Sequence, residues 1–193
     1  MPDADVTFYP QCFALDEADA LLQALIARIA WKQDHIQLFG SSVTIPRLTA
    51  WYGDPGRVYT YSGITQQPLP WTDDLLLIKA RVEQIAGASF NSVLLNYYRD
   101  GRDSVSWHSD DEPELGTNPL IASVSFGAAR QFQFKHKHDP QQRASIELTH
   151  GSLLLMGGAT QHFWKHQIPK SKRVTDARIN LTFRTINATQ PED

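Results

Sequence analysis

The residues most able to do chemistry stand in one short run, Trp107-His108-Ser109-Asp110. It places a histidine and a carboxylate two positions apart, just after a strand-like stretch. In extended backbone, residues i and i+2 point to the same side. His108 and Asp110 can therefore offer an imidazole nitrogen and a carboxylate oxygen to one point. One more histidine would complete the two-histidine, one-carboxylate triad that holds non-haem Fe(II) on one face and leaves positions open for oxygen and a co-substrate. The tripeptide alone is common, so the rest of the chain must supply the third ligand and a pocket. His136, His138, His150, His162 and His166 all lie downstream. His136 and His138 sit among lysines and read as solvent-facing, and His150 precedes Gly151 in a turn. Spacing alone does not choose among the five.

A second pattern lies near the end. Arg178, Asn180, Thr182 and Arg184 share one face of a strand, and Ile179, Leu181 and Phe183 the other. The two arginine Cα atoms would be roughly 20 Å apart at ~3.3 Å per residue. Long guanidinium side chains leaning inward could still close on a short diacid from both ends, since the planar fork grips carboxylates through paired hydrogen bonds. Asn96 and Tyr98 share a face of an earlier strand in the same way.

The elements that must position these groups are legible in outline. Residues 16–31 predict a helix capped by Asp16, with Leu21, Leu22, Leu25, Ile26 and Ile29 at helical spacing. A second helix is expected over 73–86, capped by Thr72 and stopped by Gly87. From residue 90 the pattern turns to strands: 90–99, 121–126, 131–136, 145–148, 152–156 and 178–185. The pair 121–126 and 131–136 reads as a hairpin around Gly127-Ala128-Ala129-Arg130. The stretch 33–70, rich in glycine, proline and aromatics, reads as irregular, and a long irregular segment is often functional. Two helices followed by strands predict an α+β fold in a single domain spanning 1–193.

Bulk properties narrow the function. The chain has 193 residues, 41% of them hydrophobic, and a formal net charge of −3. A nucleic-acid partner would have to meet a local patch rather than a basic surface, the candidates being Lys135 to His138 and Lys170, Lys172 and Arg173. No apolar run reaches membrane-spanning length, and Cys12, the one cysteine, forms no internal disulfide. A cytoplasmic protein without membrane attachment, acting as a monomer, is expected; in a eukaryote it would be nuclear.

Taken together, His108-Ser-Asp110, His166, Arg178-Ile-Asn180-Leu-Thr-Phe-Arg184, Asn96-Tyr-Tyr98-Arg-Asp-Gly101 and Ser123-Val-Ser-Phe-Gly127 resemble the AlkB family of Fe(II)- and 2-oxoglutarate-dependent nucleic-acid dealkylases. The resemblance runs from about Gln37 to Arg184. Through His108-Ser-Asp-Asp-Glu112, Tyr59-Thr-Tyr-Ser-Gly63 and Pro46-Arg47 ahead of Tyr52-Gly-Asp54, it is nearer to the mammalian double-stranded-DNA branch than to the founding bacterial enzyme. It implies a double-stranded β-helix, or jelly-roll, core backed by the N-terminal helices. It implies Fe(II), 2-oxoglutarate and O2, with His108, Asp110 and His166 as metal ligands. Arg178, assisted by Asn96 and Tyr98, would meet the distal carboxylate of 2-oxoglutarate, with Arg184 near its chelating carboxylate and Asn180 a further pocket residue. The substrate would be single- or double-stranded DNA carrying N-alkylated bases such as 1-methyladenine or 3-methylcytosine. Within a nucleotide-recognition segment at 33–70, Tyr61 would stack on the flipped base, Phe39 would act as a wedge and Arg47 would contact the substrate. Asp111 and Glu112 would lie near the base's polar edge. The same chemistry on RNA or another methylated target, and a non-catalytic binder of damaged DNA, are the alternatives.

Overall fold

In a computed structural model, which describes residues 1–38, 41–56, 59–61 and 64–187, strand precedes helix from the start. The elements run β1 (Asp5–Tyr9), α1 (Leu15–Arg28), β2 (His35–Leu38), β3 (Ser41–Thr44), β4 (Leu48–Gly53), β5 (Tyr59–Tyr61), β6 (Ile64–Gln66), α2 (Asp73–Ala86), β7 (Ser92–Tyr98) and β8 (Val105–His108). They continue β9 (Ile121–Gly127), β10 (Arg130–His136), β11 (Arg143–Leu148), β12 (Ser152–Gly157), α3 (Thr160–Phe163), β13 (Trp164–Ile168) and β14 (Arg178–Arg184). Two antiparallel sheets face each other: a major sheet in the order β1-β12-β9-β14-β7-β4 and a minor one in the order β11-β10-β13-β8. This is the expected jelly-roll core.

Period-two alternation builds three layers. Ile179, Leu181, Phe183, Val93 and Leu95 face outward from the major sheet. There they pack against Leu21 and Leu25 of α1 and Leu75, Ile78 and Val82 of α2. The intervening residues of β14 and β7 turn toward the minor sheet, where Phe132, Phe134, Trp164 and Ile168 form a second cluster. The helices thus cover one face of the major sheet and leave the other to line a cavity.

The second helix matches expectation: Thr72 Oγ1 accepts from the Leu75 N–H at 3.4 Å, and Gly87 ends it with φ of 64°. The first does not begin at an Asp16 cap. Its N-cap is Ala14, which makes no side-chain hydrogen bond, and Asp16 sits in the first turn. There its charge still favours the positive end of the helix dipole. The helix also stops at Arg28, ahead of extended Ile29.

Two corrections concern strands. Residues 33–70 are not irregular: β4 hydrogen-bonds to β7 in the major sheet, and β2–β3 and β5–β6 are small hairpins. Strands β9 and β10 do not pair, although four residues of turn chemistry join them. β9 pairs with β12 and β14, whereas β10 pairs with β11 and β13. The Gly127 turn carries the chain from one sheet to the other. Gly127 has φ of 88°, and an added Cβ would fall on the Ala177 carbonyl oxygen, far inside van der Waals contact. Gly127→Ala is therefore expected to cost at least about 2 kcal/mol, read as a lowered denaturation midpoint; an unchanged midpoint would contradict this account of the crossover.

Candidate metal and co-substrate site

His108 ends β8 and His166 lies in mid β13, directly opposite it in register. Asp110 follows two residues after His108, as extended spacing requires. Their ligand atoms all lie within 4.8 Å of one another, which makes this the one cluster of its kind among the described residues. His108 Nδ1 donates to the Ser106 carbonyl at 2.7 Å, a contact that requires the proton on Nδ1 and leaves the Nε2 lone pair for a metal. His166 is buried between Phe132, stacked at 5.0 Å, and the edge of His108 at 4.3 Å. Burial, helped by the neighbouring His108, lowers its pKa to about 3, so it stays a neutral ligand. Burial alone would raise the Asp110 pKa. Arg184 and the two histidines outweigh it and bring the group to about 2, so the carboxylate is ionised. Arg184 Nη2 donates to Asp110 Oδ1 at 2.9 Å.

The triad opens into a cavity of about 90 Å³ between the sheets, lined by Asn96, Tyr98, Arg178, Asn180 and Arg184 among others. Every expected co-substrate residue is therefore in its wall, though with differing free capacity. Asn180 uses Nδ2 on Ser123 Oγ and the Val124 carbonyl, and its Oδ1 accepts from Thr182, so it ties β14 to β9. Arg178 is 1% exposed and donates from Nη2 to Ser125 Oγ at 2.9 Å, while its Nε and Nη1 have no hydrogen-bond partner among the described residues. Burial brings its pKa down to about 10, still a full cation at neutral pH. A buried guanidinium with two idle donors is costly unless an anion joins it. This fits a carboxylate-bearing co-substrate beside the triad. Both arginines line the cavity, and Arg184 also reaches Asp110.

The expected substrate contacts separate. Glu112 lines the cavity, and its Oε2 is buried without a hydrogen-bond partner among the described residues. Asp111 points away, ion-paired to Lys137 at 2.9 Å. Arg47 is a cavity-wall residue rather than one on an outer surface: 7% exposed, it donates from Nε to Asn96 Oδ1 at 2.6 Å and from Nη1 to the Ser104 carbonyl. Phe39 and the Tyr61 side chain lie outside the described residues. Of the unused histidines, His136 is not solvent-facing, since Phe163 stacks on it and Trp164 meets it edge-on. His150 accepts from the Gly127 N–H, and His162 from the Asn118 N–H.

Four residues of the site were not singled out as such in the sequence, although two of them, Ser123 and Ser125, stand in the family-like run Ser123-Val-Ser-Phe-Gly127. Ser123 and Ser125 alternate on β9 and could have been found by that period. Arg130, buried, donates to the carbonyls of Asp100, Asp103 and Pro169 and lies 5.6 Å from the Tyr98 ring, with Arg178 at 5.2 Å from the same ring. Nothing in its sequence neighbours marks it. Gln161, fully buried, carries no local signal either.

A family profile described as the 2OG-Fe(II) oxygenase superfamily matches residues 5–184. Alpha-ketoglutarate-dependent dioxygenase alkB homolog 3 is 46% identical in rat and in human over 190 residues, 94% of this chain. The human DNA oxidative demethylase ALKBH2 is 42% identical over 192 residues, covering 94% of this chain and 74% of that protein. The chain belongs to the AlkB family of 2OG-Fe(II) oxygenases. It spans 64% of the rat and 66% of the human homolog 3. Among solved structures, OsALKBH1 shares the AlkB-type fold with a TM-score of 0.65 at 18% identity, over 93% of this chain and 97% of that one. A 2OG-Fe(II) oxygenase family oxidoreductase from Burkholderia pseudomallei aligns with a TM-score of 0.60 at 14% identity, over 96% and 89%.

Proposed function

We propose that this protein removes alkyl groups oxidatively from N-alkylated DNA bases, 1-methyladenine and 3-methylcytosine among them, using Fe(II), 2-oxoglutarate and O2. The observation that carries this reading is Arg178: two guanidinium donors without a partner among the described residues share a cavity with the His108, Asp110 and His166 triad. The name of the human relative, DNA oxidative demethylase ALKBH2, supports the substrate class.

His108, Asp110 and His166 would hold the metal, with both imidazoles neutral and the carboxylate ionised. Bound there, Fe(II) with 2-oxoglutarate would activate O2 and oxidise an N-methyl group, releasing the carbon as formaldehyde and the co-substrate as succinate and carbon dioxide. The chain supplies binding, orientation and a dry site. Arg178 pairs with the distal carboxylate, and the Tyr98 ring lies 5.2 Å from its guanidinium carbon. Arg184 fixes Asp110 and faces the metal end of the cavity. Glu112 presents an unpaired carboxylate oxygen to an entering base, a ready acceptor for an exocyclic amine. Asp111, spent on Lys137, does not share that task. The base is taken out of the stack to reach the cavity, and Tyr61 and Phe39 in the 33–70 segment are assigned to stacking on it and to the wedge. No helix among its described residues is long and apolar enough to cross a membrane. Action on DNA assigns the protein to the compartment that holds DNA, the cytoplasm of a bacterium or the nucleus of a eukaryote, and it is assigned as a monomer.

The test is incubation of purified protein with Fe(II), ascorbate, 2-oxoglutarate and an oligonucleotide bearing one 1-methyladenine, in single and double strands. Mass spectrometry should show loss of one methyl group. The ratio of the two rates tests the wedge assignment of Phe39. Succinate without methyl loss would move the substrate to RNA or another methylated target. Neither product, with iron bound, would overturn catalysis and favour a damaged-DNA binder.

A further inference from the structure

Gln161 lies in α3, one short turn before β13, and none of its surface is exposed. Its Oε1 accepts a hydrogen bond from the backbone N–H of Asp110 at 2.9 Å. Among the described residues its Nε2 has only the Met156 sulfur, at 3.7 Å. A thioether is a weak acceptor, so the amide is buried at a cost that one strong bond must offset. A methionine or leucine would fill the same space without that cost. The bond thus has a positional meaning, and the residue it holds is the carboxylate of the triad.

The surroundings support the same reading. The segment 109–111 is fastened to 161–164 at several points. Ser109 Oγ donates to the Trp164 carbonyl at 3.1 Å. Lys137 Nζ bridges Asp111 Oδ2 at 2.9 Å and the Gln161 carbonyl at 2.8 Å. Among these contacts, Gln161 alone touches a triad residue. Arg184 holds a carboxylate oxygen of Asp110, and Gln161 holds its backbone. Together they fix both ends of a side chain that follows the end of β8 and has no ladder of its own.

We infer that Gln161 is the positioning residue of the metal centre, presetting Asp110 for metal before any metal binds. The inference rests on the metal-site reading above. Such supporting contacts are worth 10–100-fold in metal affinity.

Mn(II) serves as the probe, titrated into the metal-free full chain without 2-oxoglutarate, with free Mn(II) counted by electron paramagnetic resonance. Gln161→Met keeps the volume and loses the strong acceptor; its dissociation constant is expected to rise about 10–100-fold. Gln161→Glu keeps an acceptor oxygen and should stay close to the unsubstituted protein. Gln167→Met, which removes a glutamine bonded only to Gln133 on the same sheet, should leave affinity unchanged. Equal loss in the Met and Glu variants, or loss in neither, would overturn the inference. If the unsubstituted protein binds no Mn(II), the metal-site reading falls and takes this one with it. Should Gln161→Met not fold, hydrogen exchange at the Asp110 amide of the unsubstituted metal-free protein decides: protection is expected, and exchange at the rate of an open loop would reject the contact.

Discussion

Asp110→Ala is expected to abolish both metal binding and turnover. Two imidazoles remain, on adjacent strands but without the anion that draws a divalent cation to them. The substitution also removes the carboxylate that faces Arg184 at 2.9 Å inside the protein. Removing one partner of a buried pair costs about 3–5 kcal/mol, so the thermal midpoint of the metal-free protein should fall as well. Asp110→Asn separates the two effects. It keeps an oxygen for Arg184 Nη2 and should fold more stably than the alanine variant, yet still lose Mn(II) binding. Calorimetry and the Mn(II) titration read the two outcomes independently. Succinate formation by Asp110→Ala at the unsubstituted rate would refute the metal assignment.

The second large effect is expected at Arg178. Arg178→Met should raise the KM for 2-oxoglutarate about 100-fold, equivalent to roughly 3 kcal/mol for two charge-assisted hydrogen bonds. Turnover at saturating co-substrate should change far less, because Arg178 touches neither metal nor base in this arrangement. Arg178→Lys should recover little of the loss. A lysine presents a point charge in place of a fork and surrenders its proton readily when buried. The native cation is itself depressed to about 10 by burial. The protonated form is the one that attracts the dicarboxylate, so binding should hold through neutral pH and fail as pH rises through about 10. A KM that Arg178→Met leaves unchanged would place the co-substrate elsewhere.

Much of this centre is legible along the chain because its geometry is local. His108 and Asp110 share a side by extended spacing alone. The alternation of Arg178, Asn180, Thr182 and Arg184 against Ile179, Leu181 and Phe183 is a period-two signal, and it sorts the strand into a cavity face and a helix-covered face as expected. Thr72 and Gly87 mark the ends of α2 because capping is a contact over three or four residues. The family motifs add His166, which spacing did not separate from four other histidines.

What spacing could not decide is which strand lies beside which. The Gly127 turn has hairpin chemistry, yet it joins two sheets, because the neighbours of β9 are β12 and β14, which arrive later in the chain. Strands β1, β4 and β13 went unrecognised, since each is completed by partners at least 28 residues away along the chain. The pairing of polar groups is likewise tertiary. Arg184 met Asp110, Asp111 met Lys137 and Arg47 met Asn96 across separations of 26 to 74 residues. The sequence by itself thus determined the metal ligands' chemistry and the polar face of β14, which are properties of residue type and backbone period. Only the tertiary structure decided that Arg178 is left with idle donors, that Glu112 rather than Asp111 faces the cavity, and that Gln161 holds Asp110. Those outcomes depend on burial and on which groups have already found partners.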